Sequence, residues 1–241
     1  MMELTRRGGL ISATVAALLH ARRACALNAA ETAAMLGIAD PADFLKRKPE
    51  FLAVAPWSSG SERLWAACLA DEGNGVTAAL IQEDADGETR RIVAGPVEAD
   101  VLTIDPFWTL NLLISPVHPL GADFPAFGVT VSNSYLSTGR STWSESMSIF
   151  LREGSTLRLV FSGYVGAGSS DEVPCRRLQG GGEPCRDRWE RKWIIKTAGP
   201  AAGGKPPALV VVERGSNKIV SRHTWRGDGY HPATFERLIR S

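Results

Sequence analysis

The sequence predicts a mainly β protein: an antiparallel sandwich, barrel or propeller-like sheet stack preceded by short N-terminal helices. Three observations carry that expectation. From Ala126 to Val165 the chain alternates in three successive runs, Phe127, Val129 and Val131, then Met147, Ile149 and Leu151, then Leu157, Leu159 and Phe161. A period of two puts each set on one face of a sheet. Turn chemistry recurs between such runs, with Asn74-Gly75, Asp86-Gly87 and Glu153-Gly154-Ser155 among the links. Finally, about ten strand-like segments follow one another at spacings of roughly 10–15 residues with no long helix between them. No repeat of fixed period runs through the chain, which argues against a full propeller.

Taken in order, residues 1–26 resemble an export signal. Arg6-Arg7 supply a positive start, Gly8 to Ala21 form an apolar run, and Ala24-Cys25-Ala26 matches an A-x-A cleavage site. The run is too short for a transmembrane helix, which needs about 20 residues. Thr5-Arg6-Arg7 also resembles a twin-arginine signal, with Gly8-Gly9 in place of the usual polar and bulky apolar pair. Arg22-Arg23 just before the cleavage site is unusual for either type, and an ordinary N-terminal helix is the alternative.

Residues 27–62 read as a helical or irregular lead-in. Asn28 with Glu31 three residues on makes a capping box, and Asp40-Pro41 is a second helix start. Residues 63–241 read as a single β-rich domain. Its predicted strands are Leu64–Asp71, Val76–Glu83, Thr89–Gly95, Val101–Ile104, Trp108–Ile114, the central three, Arg188–Thr197, Ala208–Glu213 and Ile219–Arg226. Gly95-Pro96 marks a break between two sheets. Tyr135 to Ser144 and Gly166 to Arg188 read as polar loops, and Pro232 to Arg240 as a closing helix.

The composition excludes several functions. With 27 basic and 26 acidic residues the chain is near neutral, unlike a protein that binds nucleic acid through phosphates. No P-loop, dinucleotide fingerprint, G-x-S-x-G elbow or S-x-x-K motif occurs. No cofactor is expected. Beyond the signal the cysteines are Cys68, Cys175 and Cys185. In an oxidising compartment Cys175 and Cys185 form the natural disulfide, closing a Gly-rich loop, and Cys68 lies in an apolar run as a buried free thiol.

Four constellations carry candidate chemistry. Asp84-x-Asp86-Gly87-Glu88 has the flavour of a calcium loop but lacks the distal Glu and the flanking helices, and Asp-Gly is turn chemistry in its own right. His223, Asp228 and His231 form a candidate metal cluster of two imidazoles and a carboxylate, against the plainer reading of a strand end and a polar turn. Trp189, Arg191 and Trp193 share one face of a strand, and with Arg140 and Trp143 in the polar loop they make a candidate binding surface, which Trp57 and Trp225 would extend. A core strand with solvated basic residues opposite is the competing account. Lastly, Ser162-Gly163-Tyr164 resembles the Ser-Gly-x-x-Tyr motif of small periplasmic lysozyme inhibitors over three residues, with the tyrosine directly after the glycine and the spacing therefore broken. That likeness implies no membership and only illustrates a role: a rigid exported scaffold that presents a loop to another protein.

The expectation is thus a periplasmic or secreted, non-enzymatic β-rich protein, a binding, inhibitor or immunity-type module whose partner is another envelope or secreted protein. It has no transmembrane segment after the signal. The two polar loops would present the surface, the second pinned by Cys175–Cys185. The rival is an exported hydrolase or metal-dependent enzyme using His223, Asp228 and His231.

Overall fold

Alternation and turn chemistry build two antiparallel sheets, as the computed structural model shows. It describes residues 27–59, 62–70, 75–87, 89–100, 109–115, 120, 123–137, 140–173 and 185–236. Two short helices come first, α1 (Ala29–Met35) and α2 (Pro41–Arg47). Asn28 caps α1 by accepting from the amides of Ala30 and Glu31, and Asp40 caps α2 by accepting from Asp43.

A four-stranded meander follows in the order β1-β2-β3-β4: Leu52–Ser59, Glu62–Ala70, Gly75–Glu83 and Arg90–Asp100. The larger sheet is also a meander. Its strands are β5 (Thr109–Ser115), β6 (Ala126–Ser137), β7 (Arg140–Glu153), β8 (Thr156–Val173), β9 (Cys185–Ala198), β10 (Ala208–Glu213), β11 (Ile219–Trp225) and β12 (Tyr230–His231), each hydrogen-bonded to the next. A last strand, β13 (Thr234–Phe235), pairs with β8 in parallel. No closed barrel forms among the described residues.

The packing is layered. Leu64, Ala66, Cys68, Ala70, Val76, Ala78 and Leu80 of the small sheet face Leu110, Leu112, Phe127, Val129, Val131, Phe150 and Leu157 of the large one. The intervening residues Ala67, Leu69, Ala79 and Ile81 pack under Leu27, Leu36, Met35 and Phe44 of the helical segment. Burial on both faces explains why β2 reads as a nearly continuous apolar run rather than an alternating one. Trp57 of β1 bridges the sheets, donating its indole N–H to the Ala126 carbonyl at 3.4 Å and meeting Phe127 edge to face. A second core, with Ile149, Leu151, Phe161, Trp193, Leu209, Val211, Tyr230 and Phe235, fills the curl of the C-terminal strands.

Several expectations need correction. The lead-in contains strand β1, paired along its length with β2. Pro56 is tolerated there because β1 lies at the sheet edge, where one side of the backbone needs no partner. Gly95-Pro96 does not separate the sheets. β4 runs through it with a shift of register against β3, and the Gly95 amide donates to the Ser155 carbonyl at 3.2 Å. The predicted loop Tyr135–Ser144 is mostly strand, since β6 and β7 pair out to Ser137 and Arg140. The predicted loop Gly166–Arg188 is likewise shortened by β8 and β9, which pair from Gly166 with Lys192 to Val173 with Cys185. Residues 232–236 hold no helix; Thr234 and Phe235 are taken up by β8. The predicted strand Val101–Ile104 lies outside the described residues.

Candidate functional site

The long hairpins β6–β7 and β8–β9 carry the large sheet past the residues that face the small one. On this distal part the strand register sets Trp143 of β7 opposite Gly168 of β8, and Gly168 opposite Glu190 of β9. Next to them Glu145 pairs with Gly166 and Gly166 with Lys192. The two glycines leave a gap in the side-chain layer, and the indole of Trp143 fills it. A Cβ on Gly166 would lie 2.6 Å from the Trp143 ring, and one on Gly168 would strike the indole nitrogen. An aromatic ring laid over cross-strand glycine replaces the packing that glycine lacks. The Lys192 ammonium stands 5.5 Å from the ring centroid and forms a 2.7 Å ion pair with Glu190. Three strands are tied together there by one half-buried tryptophan.

Position along β9 then divides the predicted aromatic–basic surface, because Trp189 and Arg191 lie on the distal end and Trp193, on the same strand face, lies over the C-terminal core. Trp189 is 37% exposed and Arg191 is exposed, whereas Trp193 is 4% exposed and meets Phe235 edge to face at 5.7 Å. Trp193 is therefore core. Trp57 is core as well, and Trp225 is half-buried against Tyr230 and beneath Arg158. Arg140 is exposed at the start of β7. What remains at the surface is Arg140, Trp143, Trp189, Arg191 and Lys192, with Leu136 of β6 exposed at 81%. Trp189 and Arg191 lie on the strand face opposite Glu190 and Lys192, so this end of β9 shows aromatic and basic groups on both faces.

The C-terminal cluster is not assembled. His223 and His231 fall on opposite faces: Thr224 pairs with His231, while His223 lies on the side of Trp225 and Tyr230. His223 is fully buried and His231 exposed. Asp228 sits in the exposed turn between β11 and β12, and its main-chain carbonyl accepts from Arg158. Among the described residues no group of three His, Cys, Asp or Glu side chains is placed to hold a metal ion. The Nδ1 of His223 lies 2.6 Å from the Pro232 carbonyl and donates to it. Burial lowers the pKa of this imidazole. Asp84 to Gly87 form a hairpin turn, closed by the amides of Asp84 and Gly87 donating to Thr89 and Asp84. The Cys175–Cys185 pairing rests on Cys175, which lies outside the described residues.

One feature escapes sequence reasoning. Ser144, Ser146, Ser148 and Ser162 are all buried, and the hydroxyls of Ser148 and Ser162 meet at 3.1 Å. The Ser146 hydroxyl has no partner among the described residues. Serine next to serine reads as solvated surface. Only the alternation with Met147 and Ile149 hints that both faces of β7 are covered.

Among the described residues, His223 is not placed as a base for these serines. Ser162 and Phe161 point to opposite faces of β8, and His223 packs on Phe161 at 4.8 Å. No family model, curated protein or solved structure matches the chain. The fold and site define a class only: a two-sheet antiparallel β protein with an aromatic–basic surface on its extended hairpins.

Proposed function

We propose that the chain is an exported binding module that engages another envelope or secreted protein through the distal hairpins of its large sheet. The observation that supports this most is Trp143, laid over Gly166 and Gly168 beside Lys192, with Trp189 and Arg191 exposed on the other face of the same end of β9. Tryptophan on a fixed strand costs little entropy to order, and tryptophan and arginine are the residue types that anchor protein interfaces. Strands in place of the predicted loops make the surface stiffer and favour a preformed contact. The signal-like residues 1–26 support export.

The test is in-cell crosslinking in the native host followed by mass spectrometry, comparing the wild type with a Trp143→Ala, Trp189→Ala, Arg191→Glu variant. A specific envelope protein joined to the wild type and lost from a variant with unchanged circular dichroism supports the proposal. Equal crosslinking by both, or a wild type joined to nothing, overturns it. Intact mass of the same material tests export separately: a chain beginning at Leu27 is expected, and a full-length chain would refute it.

A further inference from the structure

We propose that His223 is an acid-sensitive latch that holds the C-terminal strand β13 on β8, so that protonation of its ring releases that segment. The parallel pairing of β13 with β8 is two residues long, Thr234 with Ser162 and Phe235 with Gly163. Two further bonds fix the segment: the Ser162 amide donates to the Ala233 carbonyl at 3.0 Å, and His223 Nδ1 donates to the Pro232 carbonyl at 2.6 Å. The imidazole is fully buried between Phe161 and Phe235, edge to face with both. Its Nε2 has no hydrogen-bond partner among the described residues.

That arrangement suits only a neutral ring. A second proton would put an N–H and a positive charge at Nε2 with no acceptor. Among the described residues the groups around it offer no compensation. Leu209 stands opposite on β10, and Tyr230 on β12 spends its hydroxyl on the Pro207 carbonyl at 2.8 Å. On β8 the Arg158 guanidinium is committed to Glu153 and the Asp228 carbonyl. Arg222 and His231 belong to the outer faces of β11 and β12, Asp228 is exposed in the turn between them, and Glu236 beyond β13 acts on Tyr164. From β9 the inward group is Trp193. A protonated ring reaches water only by leaving Phe161 and Phe235, which parts β13 from β8.

The Ser162 amide is the natural probe, because its acceptor lies in the released segment. Native-state hydrogen exchange on the full chain, corrected for intrinsic rates, is read from pH 7.5 to 5. The Ser162 protection factor is expected to fall up to about tenfold per pH unit below about 6.5, while β2 and β3 amides keep theirs. In His223→Asn, whose amide can still donate to Pro232 without titrating, Ser162 protection should stay flat. Flat protection in the wild type, or an equal fall in the variant, overturns the latch. Should the variant not fold, the His223 ring is followed by NMR in the wild type. Ring titration that coincides with loss of Ser162 protection supports the proposal, and a ring that stays neutral while protection is lost refutes it.

Discussion

Gly166 and Gly168 show what a single residue decides here. Both sit inside β8, where glycine weakens a strand, and both are explained by the Trp143 ring that covers them. Gly168→Ala would drive its methyl into the indole nitrogen and lift the ring from β8, separating it from Lys192. A loss of about 1–3 kcal/mol in urea unfolding is expected, with a changed near-ultraviolet tryptophan signal. Wild-type stability in that variant would show that the ring carries none of the packing. Cys68 is the opposite case, a residue with nothing to do but fill space. It is fully buried, and desolvation raises its thiol pKa. Alkylation at pH 8 is expected to spare Cys68 until the chain unfolds, as peptide mass mapping would show. This burial was legible from Leu64 to Leu69, an apolar run. The role of Trp143 was not, because its partners lie more than twenty residues away and only the strand register joins them.

At the scale of elements, hairpins were legible wherever a short Gly-bearing link separated alternating runs, as at Glu153-Gly154-Ser155. Three kinds of element were not. β1 carries Pro56, and only its edge position makes that residue harmless. β7 begins in a serine- and threonine-rich stretch whose local chemistry says loop, and pairing on both sides overrides it. The tail around Phe235 has helical spacing, yet its aromatic ring gains more against Trp193 and His223. Charge adds to the apolar packing that attaches α1 to the small sheet. Arg90 on β4 bonds Glu83 on β3 at 2.9 Å and also bonds Glu31 of α1, and Glu83 accepts from the Trp65 indole at 3.3 Å. The bond that Arg90 donates to Glu83 raises the pKa of this guanidinium further, and the two side chains are 16% and 11% exposed. Arg90→Ala leaves that carboxylate with only the indole N–H. A loss of about 2–3 kcal/mol is expected in urea unfolding, below the fully buried range because some solvent reaches the pair. Adding Glu83→Gln should restore part of it, and no recovery would mean that the charge is not the cause.

For the whole molecule, two buried rings of the C-terminal core make stability depend on pH at either end of the range. The folded-state pKa of His223 lies below the unfolded value of about 6.5, so the unfolded chain takes up the proton first as pH falls. The contribution of His223 is complete above about 6.5 and declines below it, by at most about 1.4 kcal/mol per pH unit, until the folded ring also protonates. Tyr230 works from the other side. Burial raises its pKa above the ordinary value of 10, so the unfolded chain loses that proton first and stability declines above about pH 10. The urea midpoint should therefore decline on the alkaline side as Cys68, then Tyr230 and Tyr164, ionise first in the unfolded chain, with Tyr230→Phe removing only its own share above about pH 10, at the cost of the bond to Pro207. His223→Asn should flatten the acid limb between pH 6.5 and 5. If the latch opens at less cost than global unfolding, that limb ends early in the wild type, because once β13 has left β8 the ring titrates freely in a chain that is otherwise folded. A midpoint that falls with acid in the wild type and the Asn variant alike would assign the acid limb to other groups and remove His223 from the account.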